Sequence, residues 1–185
     1  MSKRIVARWQ DESGKGMEHL ALEVGDDGVT VDSTVLAAAD DHYFVAHYTL
    51  RCDRQWRLRR ARIALPAEQR ALELRSDGEG NWTDGVGATL PHLYGAIDID
   101  ITVTPFTNTL PIRRLDWMAG RAADFRMAYV WLPELRVTAE PQRYTCLEPG
   151  RRFRFESLDS DFTRDLEIDA DGLVVSYPGL FRRVV

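Results

Sequence analysis

The sequence predicts a mostly β fold, in which a single curled antiparallel sheet forms a roll or open barrel with at most one or two short helical turns. About a dozen short segments alternate apolar and polar residues, and they recur at roughly 8–12-residue spacing. Turns rich in aspartate and glycine separate them, such as Asp26-Asp27-Gly28 and Asp77-Gly78. This rhythm, without intervening helical patterns, is typical of an antiparallel sheet that curls on itself.

The first half of the chain is expected to form successive hairpins. Residues 4–10, 18–24 and 29–35 follow the alternating pattern and are joined by glycine turns. Residues 42–52 are fairly apolar on both faces, which is typical of a central strand. Residues 55–65 carry arginines on both faces, so we expect this strand to twist or to line a polar cavity.

The second half continues in the same way. Residues 71–75 return through a glycine-rich turn to residues 81–83, and an irregular crossover is expected around residues 85–95. No linker rich in Pro, Gly or Ser divides the chain, so we expect one β-roll domain over residues 1–185. The remaining strand candidates are residues 97–104, 125–132, 136–139, 142–147, 152–157, 162–168, 173–177 and 181–185.

Composition excludes several classes of protein. The 185 residues can bury enough apolar surface to fold without a disulfide or metal, and Cys52 and Cys146 are expected to be reduced and buried. The net charge of −5 argues against nucleic-acid binding. Because we find neither an apolar secretory signal in residues 1–10 nor a membrane-spanning stretch, we expect a soluble, cytoplasmic protein without stable membrane insertion.

Residues 95–117 are the most distinctive part of the sequence. Isoleucine and valine alternate with Asp98, Asp100 and two threonines, which predicts a strand with one apolar and one acidic face. Pro105 ends this strand, residues 106–109 form a tight connection, and Arg113 and Arg114 follow in what we take to be extended chain. A polar site is therefore expected here.

Three interpretations of Asp98 and Asp100 remain open. They could form ion pairs with Arg113, Arg114 or an arginine in residues 57–62, since a buried carboxylate needs such a partner. They could bind a polar ligand, with at most one of the two adjacent arginines reaching the same pocket. They could also act as an acid and a base, because a Cα separation of about 6.6 Å is compatible with hydrolysis.

Other candidate binding residues are aromatic or lie in the turn. Asn108, within Thr107-Asn108-Thr109, could contact a ligand or simply cap the turn. The five tryptophans, Trp131 among them, with Tyr94, Tyr129 and Tyr144, offer stacking surfaces for sugar rings or pack in the core, and we expect Trp82 and Trp117 near an opening. The four histidines show no metal-binding spacing, and no serine, cysteine or lysine has the context of a nucleophile. We predict no cofactor, metal or catalytic residue.

The run Asp98-Ile99-Asp100-Ile101, followed by residues 104–115 (TPFTNTLPIRRL), resembles the signature of a bacterial family described as "putative glycolipid-binding" and long catalogued as a domain of unknown function. Weaker similarities lie at residues 77–82, 129–133, 142–144, 171–174 and 177–178. The resemblance implies a β roll related in shape to periplasmic lipoprotein-localisation factors, which hold acyl chains on a concave sheet. It implies no catalytic residues, because the family has none established.

Three functional hypotheses follow. In the first, a non-enzymatic protein holds an amphipathic ligand such as a glycolipid on the concave side of the sheet, with Asp98, Asp100 and one arginine fixing its polar head. In the second, a hydrolase or transferase acts on a glycosyl or lipid ester, with Asp98 or Asp100 as the acid or base. In the third, an interaction protein with no small ligand uses its sheet edges to form a homodimer.

Overall fold

One sheet of 14 strands dominates the structure, a computed structural model that describes residues 2–39 and 42–184. The strands are β1 (Lys3–Asp11), β2 (Met17–Gly25), β3 (Gly28–Ala39), β4 (His42–Cys52), β5 (Leu58–Leu65), β6 (Arg70–Ser76), β7 (Trp82–Asp84), β8 (Asp98–Ile101), β9 (Ala122–Trp131), β10 (Arg136–Glu148), β11 (Arg152–Ser157), β12 (Thr163–Ile168), β13 (Val174–Tyr177) and β14 (Phe181–Arg183).

The strand order confirms the predicted curled, mostly β fold. It runs β7-β6-β5-β4-β3-β2-β1-β14-β13-β12-β11-β10-β9-β8, so almost every strand lies beside its neighbour in sequence. Neighbouring strands are antiparallel, except that β8 runs parallel to β9. This exception to the predicted antiparallel sheet arises because the chain between β8 and β9 crosses over through helical turns instead of a hairpin.

That crossover corrects the prediction of extended chain around the two arginines. A 3₁₀ turn at Phe106–Asn108 leads directly into α1 (Thr109–Arg114). Pro105 already has helical backbone angles, and Pro111 is tolerated because the first turn of a helix has no partner for that N–H. Among the described residues, no helix is long and apolar enough to cross a membrane.

The poor alternation within β5 has a specific cause. A bulge opposite Arg51 and Cys52 of β4 shifts the register, so Arg59 and the neighbouring Arg60 both point away from the core. Beyond the bulge, alternation resumes with Ala61 and Ile63 fully buried. The strand therefore does not line an interior polar cavity, and its arginines lie on the outer face of the sheet.

The inner face of the sheet packs around β8 and α1. Leu110 of the helix belongs to a large apolar cluster with the inward residues of β1–β7 and with Ile99 and Ile101 of β8. Ile112, less than one turn further on, belongs to a second, aromatic-rich cluster with residues of β10–β13. All of Thr109–Ile112 is buried, so the curled sheet encloses the helix. The helix in turn divides the interior of the sheet into two parts.

The two edges of the sheet approach each other without pairing as strands. The loop before β7 contacts the loop before β8 through a Gly95 N–H that donates to the Gly80 carbonyl at 2.9 Å. A side chain on Gly80 would lie 2.9 Å from the Gly95 Cα, and the φ of Gly80 is +96°, so both the contact and the backbone require glycine. Trp82 fixes the same seam by donating its indole N–H to the Ala96 carbonyl at 2.7 Å.

A buried carboxyl connects β2 to the crossover. Glu18 is 2% exposed and accepts hydrogen bonds from Ser33 Oγ at 2.6 Å, Tyr48 Oη at 2.5 Å and Thr104 Oγ1 at 2.7 Å. No cation lies among these partners. Burial therefore raises the pKa of Glu18 to about 7, although the three hydrogen bonds oppose the shift.

This carboxyl predicts a pH-dependent stability. Between about pH 5 and pH 8 the folded protein retains a Glu18 proton that the unfolded chain has released, so stability falls as pH rises. Glu18→Gln preserves the shape but cannot titrate. Relative to this variant, the wild-type free energy of unfolding should fall by about 2–3 kcal/mol across that interval in urea denaturation. Parallel pH profiles for the two proteins would show that Glu18 does not carry the proton.

Candidate ligand-binding site

Strand β8 presents its two aspartates on one side of the sheet. Ile99 and Ile101 alternate with them and are at most 1% exposed within the large apolar cluster. Asp98 and Asp100 therefore face the other part of the interior, towards β10. Although they are only two residues apart, their carboxylates have different partners.

Asp98 forms a buried ion pair with Arg114, as one of the three interpretations predicted. The carboxylate is 1% exposed, and Arg114 donates to it from Nη2 at 2.7 Å and from Nε at 3.3 Å. The guanidinium also lies over the Phe125 ring, 5.3 Å from its centroid. Burial raises the pKa of Asp98, and the positive charge of Arg114 offsets part of that effect.

Asp100 has neutral partners instead. Thr107 Oγ1 donates to it at 2.8 Å and Gln142 Nε2 donates at 2.7 Å, while no cation lies within ion-pair distance in the described part of the chain. Its carboxylate is enclosed by these groups even though the residue as a whole is half-buried, and burial raises its pKa. Gln142 is 2% exposed, and its Oε1 has no hydrogen-bond partner. A hydrogen-bond acceptor is thus left free beside a carboxylate.

A cavity of about 490 Å³ opens beside Asp100. Both Gln142 and Asn108 line it, close to the enclosed carboxylate. Its size is that of a pocket for a small molecule, and its combination of aromatic walls with a few polar groups is typical of such sites. The aromatic lining consists of Tyr129, Trp131, Phe155, Phe162, Tyr177 and Phe181.

The charges in this cavity are negative. Glu140 and Asp159 line it together and share a hydrogen bond. Burial, with the hydrogen bond to Asp159, raises the pKa of Glu140, while that bond and a 2.6 Å donation from Ser157 lower the pKa of Asp159. Of the two groups, Glu140 therefore binds a proton more readily and Asp159 keeps its charge more readily. Among the described residues that line the cavity, none is Lys, Arg or His.

A smaller, mainly apolar pocket of about 200 Å³ adjoins the cavity. The two share Thr102, Leu180 and Phe181, which form the boundary between them. The remaining walls of the smaller pocket include Val35 and Val103 together with Asp11, Glu12 and Glu18. The interior thus offers an aromatic space next to a smaller space with both apolar and acidic walls.

A family model described as "Putative glycolipid-binding" matches residues 6–183. The chain belongs to this family. A solved structure of a DUF1089 family protein from Pseudomonas aeruginosa is similar to this glycolipid-binding family member, with 38% sequence identity and a TM-score of 0.82. The similarity covers 90% of this chain and 92% of that one. No protein with a curated description matches the chain.

The sequence suggested a single site in this family member, but the structure places its predicted residues in several separate parts of the molecule. Of these, Asp100 and Asn108 line the large cavity, and Tyr144 lies behind it, donating from Oη to Asn108 Oδ1 at 2.8 Å. Asp98 and Arg114 satisfy each other outside its lining.

The other three predicted residues lie elsewhere. Arg113 stacks on Trp56, 5.1 Å from its centroid, and with Trp117 lines a separate pocket of about 340 Å³. Trp117 also donates to the Ile112 carbonyl. Trp82 is 2% exposed in the core, so its expected place near an opening is wrong.

Several cavity residues were not singled out from the sequence. Tyr129 and Trp131 are successive same-side residues of β9, a spacing that could have indicated an aromatic wall. Gln142 lies within one of the segments that resemble the family, but no local feature marks its side chain as buried. Glu140 and Asp159 are distant in sequence, and only the fold brings them together.

The buried ion pair predicts a large loss of stability when one partner is removed. Arg114→Gln leaves the Asp98 carboxylate buried without a counter-charge, so unfolding free energy at pH 7 should fall by about 3 kcal/mol. The loss should shrink as the pH falls, because Asp98, whose pKa is raised by burial, can then take up a proton.

Arg143→Gln provides a matched control, because Arg143 pairs with Asp124 in a comparable geometry at the surface, where both side chains are about half exposed. It should cost at most about 1 kcal/mol. Urea denaturation of both variants measures the difference, and equal losses would mean that burial does not amplify the Asp98–Arg114 interaction.

Proposed function

We propose that this protein binds an amphipathic molecule with an uncharged, hydroxyl-bearing headgroup, of which a glycolipid is an example, and that it does so without converting it chemically. The family assignment supports a binding role. The cavity beside Asp100 supplies the place for the headgroup, and the adjoining smaller pocket can shelter part of a hydrocarbon chain.

The observation that carries the proposal is the cavity beside Asp100, in which Asn108 and Gln142 lie among aromatic side chains. The Asp100 carboxylate accepts hydrogen bonds, so the ligand should present donors such as hydroxyls. Tyr129 and Trp131, which pack edge to face on each other, supply apolar wall surface for a ring.

The charge of the cavity restricts the headgroup further. An ionised Asp159 and the partly enclosed Asp100 would repel a phosphate, sulfate or carboxylate, and no cationic side chain in the described lining would compensate. Desolvating an unpaired anion beside like charges is costly. An uncharged headgroup avoids both costs.

The hydrolase interpretation receives less support from the geometry. A reaction using Asp98 and Asp100 as acid and base needs both carboxylates to face the same substrate atoms. Asp98 instead accepts two hydrogen bonds from Arg114 and lies outside the cavity lining. Binding needs only Asp100 and its neutral partners.

The proposal predicts headgroup selectivity between two amphiphiles with identical tails. Octyl glucoside, kept below its micellar concentration, should bind saturably and change the fluorescence of Trp131, whereas octyl phosphate should bind at least about tenfold more weakly because of the acidic lining. Shifts of the amide signals around Tyr129 and Gln142 in NMR spectra give both affinities for the cavity itself. Tighter binding of octyl phosphate, or no binding of either compound, would refute the proposed headgroup class.

A second prediction separates binding from stability at Asp100. Asp100→Asn removes the ionised acceptor without changing its size, so affinity for octyl glucoside should fall about tenfold, or about 1.4 kcal/mol. Unfolding free energy at pH 7 should not fall, because burial disfavours the native charge. Asp124→Asn, which removes an exposed carboxylate from neighbouring β9, is the control and should leave affinity unchanged. Equal affinities for all three proteins would exclude Asp100 from the site.

A further inference from the structure

The outer face of the sheet carries a row of arginines that the cavity does not use. Arg60 of β5 lies directly opposite Arg51 of β4 on one side and Arg75 of β6 on the other. Regular alternation with the buried Ala61 turns Arg60 outwards. Like charges directly opposite each other on neighbouring strands are unfavourable, so the arrangement needs a compensating negative charge.

The protein supplies little of that charge. Glu73 Oε1 accepts from Arg60 Nη2 at 3.0 Å and from Arg75 Nη2 at 2.9 Å, and both contacts lower the Glu73 pKa and keep it ionised. Glu73 also lies opposite Arg62 in the β5–β6 register. In the described part of the chain, Arg51 and Arg62 have no carboxylate within 4.0 Å. Two guanidinium groups therefore share one carboxylate, and Arg51 and Arg62 lie beside them without one.

Next to this row, the twist of the sheet forms a depression of about 600 Å³. Arg51, Arg60 and Arg62 line it from β4 and β5, and Thr49 adds a hydroxyl between them. The acidic residues that line the depression are on β2 and β3, where Asp32 accepts a hydrogen bond from His47 at 3.2 Å. The side next to the arginines is thus open to an anion, although the chain as a whole has a net charge of −5.

We propose that this outer depression is a second binding site, which accepts a phosphate-bearing group between Arg51, Arg60 and Arg62. Guanidinium groups form paired hydrogen bonds with phosphate oxygens, and three of them within one depression can contact a diphosphate or a phospholipid headgroup. The site lies on the opposite face of the sheet from the cavity and has the opposite charge, so the two sites select different ligand chemistry.

Pyrophosphate is the probe for a phosphate group in free solution. It should bind the wild-type protein saturably, and the amide signals of β4–β6 should shift in NMR spectra while those around the cavity do not. Arg51→Gln combined with Arg62→Gln should weaken this binding at least about tenfold. Both arginines are exposed and without ion pairs, so the variant should fold like the wild type.

Arg151→Gln combined with Arg152→Gln is the matched control, since it removes the same charge from the β10–β11 end of the sheet. A second arm uses vesicles of phosphatidylcholine with or without an equal part of phosphatidylglycerol. Sedimentation with the anionic vesicles only, lost in the Arg51/Arg62 variant, would identify a lipid headgroup as the source of the phosphate. Absence of binding in both arms, or equal weakening by the control, would overturn the proposal, and neither result bears on the octyl glucoside site.

Discussion

The ion pair between Asp98 and Arg114 is the interaction on which the interior depends. It joins the first residue of β8 to the last residue of α1, and so closes the segment that both apolar clusters pack against. The inner face of a 14-stranded curled sheet needs other apolar residues in its centre to pack against, and the segment from β8 to α1 supplies them. Asp98 and Arg114 can lie in this interior because their charges neutralise each other.

Environment gives the two aspartates of β8 separate roles. Asp98 is neutralised within the protein and therefore has no capacity left for a ligand. The side-chain donors to Asp100 are Thr107 and Gln142, neither of which carries charge, and the residue lines the cavity. A carboxylate held in place by neutral donors keeps its affinity for further donors, which is the property that hydroxyl recognition requires.

Local pattern predicted most of the fold because a strand needs only two-residue alternation and a turn needs only glycine at the right place. The helix was missed because Thr109–Arg114 is six residues long, contains Pro111 and follows a strand that looks continuous. The site was predicted in part: Asp100 and Asn108 belong to one local segment. Its aromatic wall combines Tyr129 of β9, Phe155 of β11 and Phe181 of β14, which come together because the whole sheet curls, and no local pattern encodes that curvature.

The bulge in β5 shows how one irregularity can affect both faces of a sheet. Without it, strict alternation would place one of Arg59 and Arg60 inside, where an unpaired guanidinium could not be buried. With it, Leu58, Ala61 and Ile63 all remain in the core while both arginines lie outside. The interior is thereby kept free of arginines from this strand. The acidic cavity and the arginine row thus lie on opposite faces of one sheet, which is why a search for ligands should test each face with molecules of different charge.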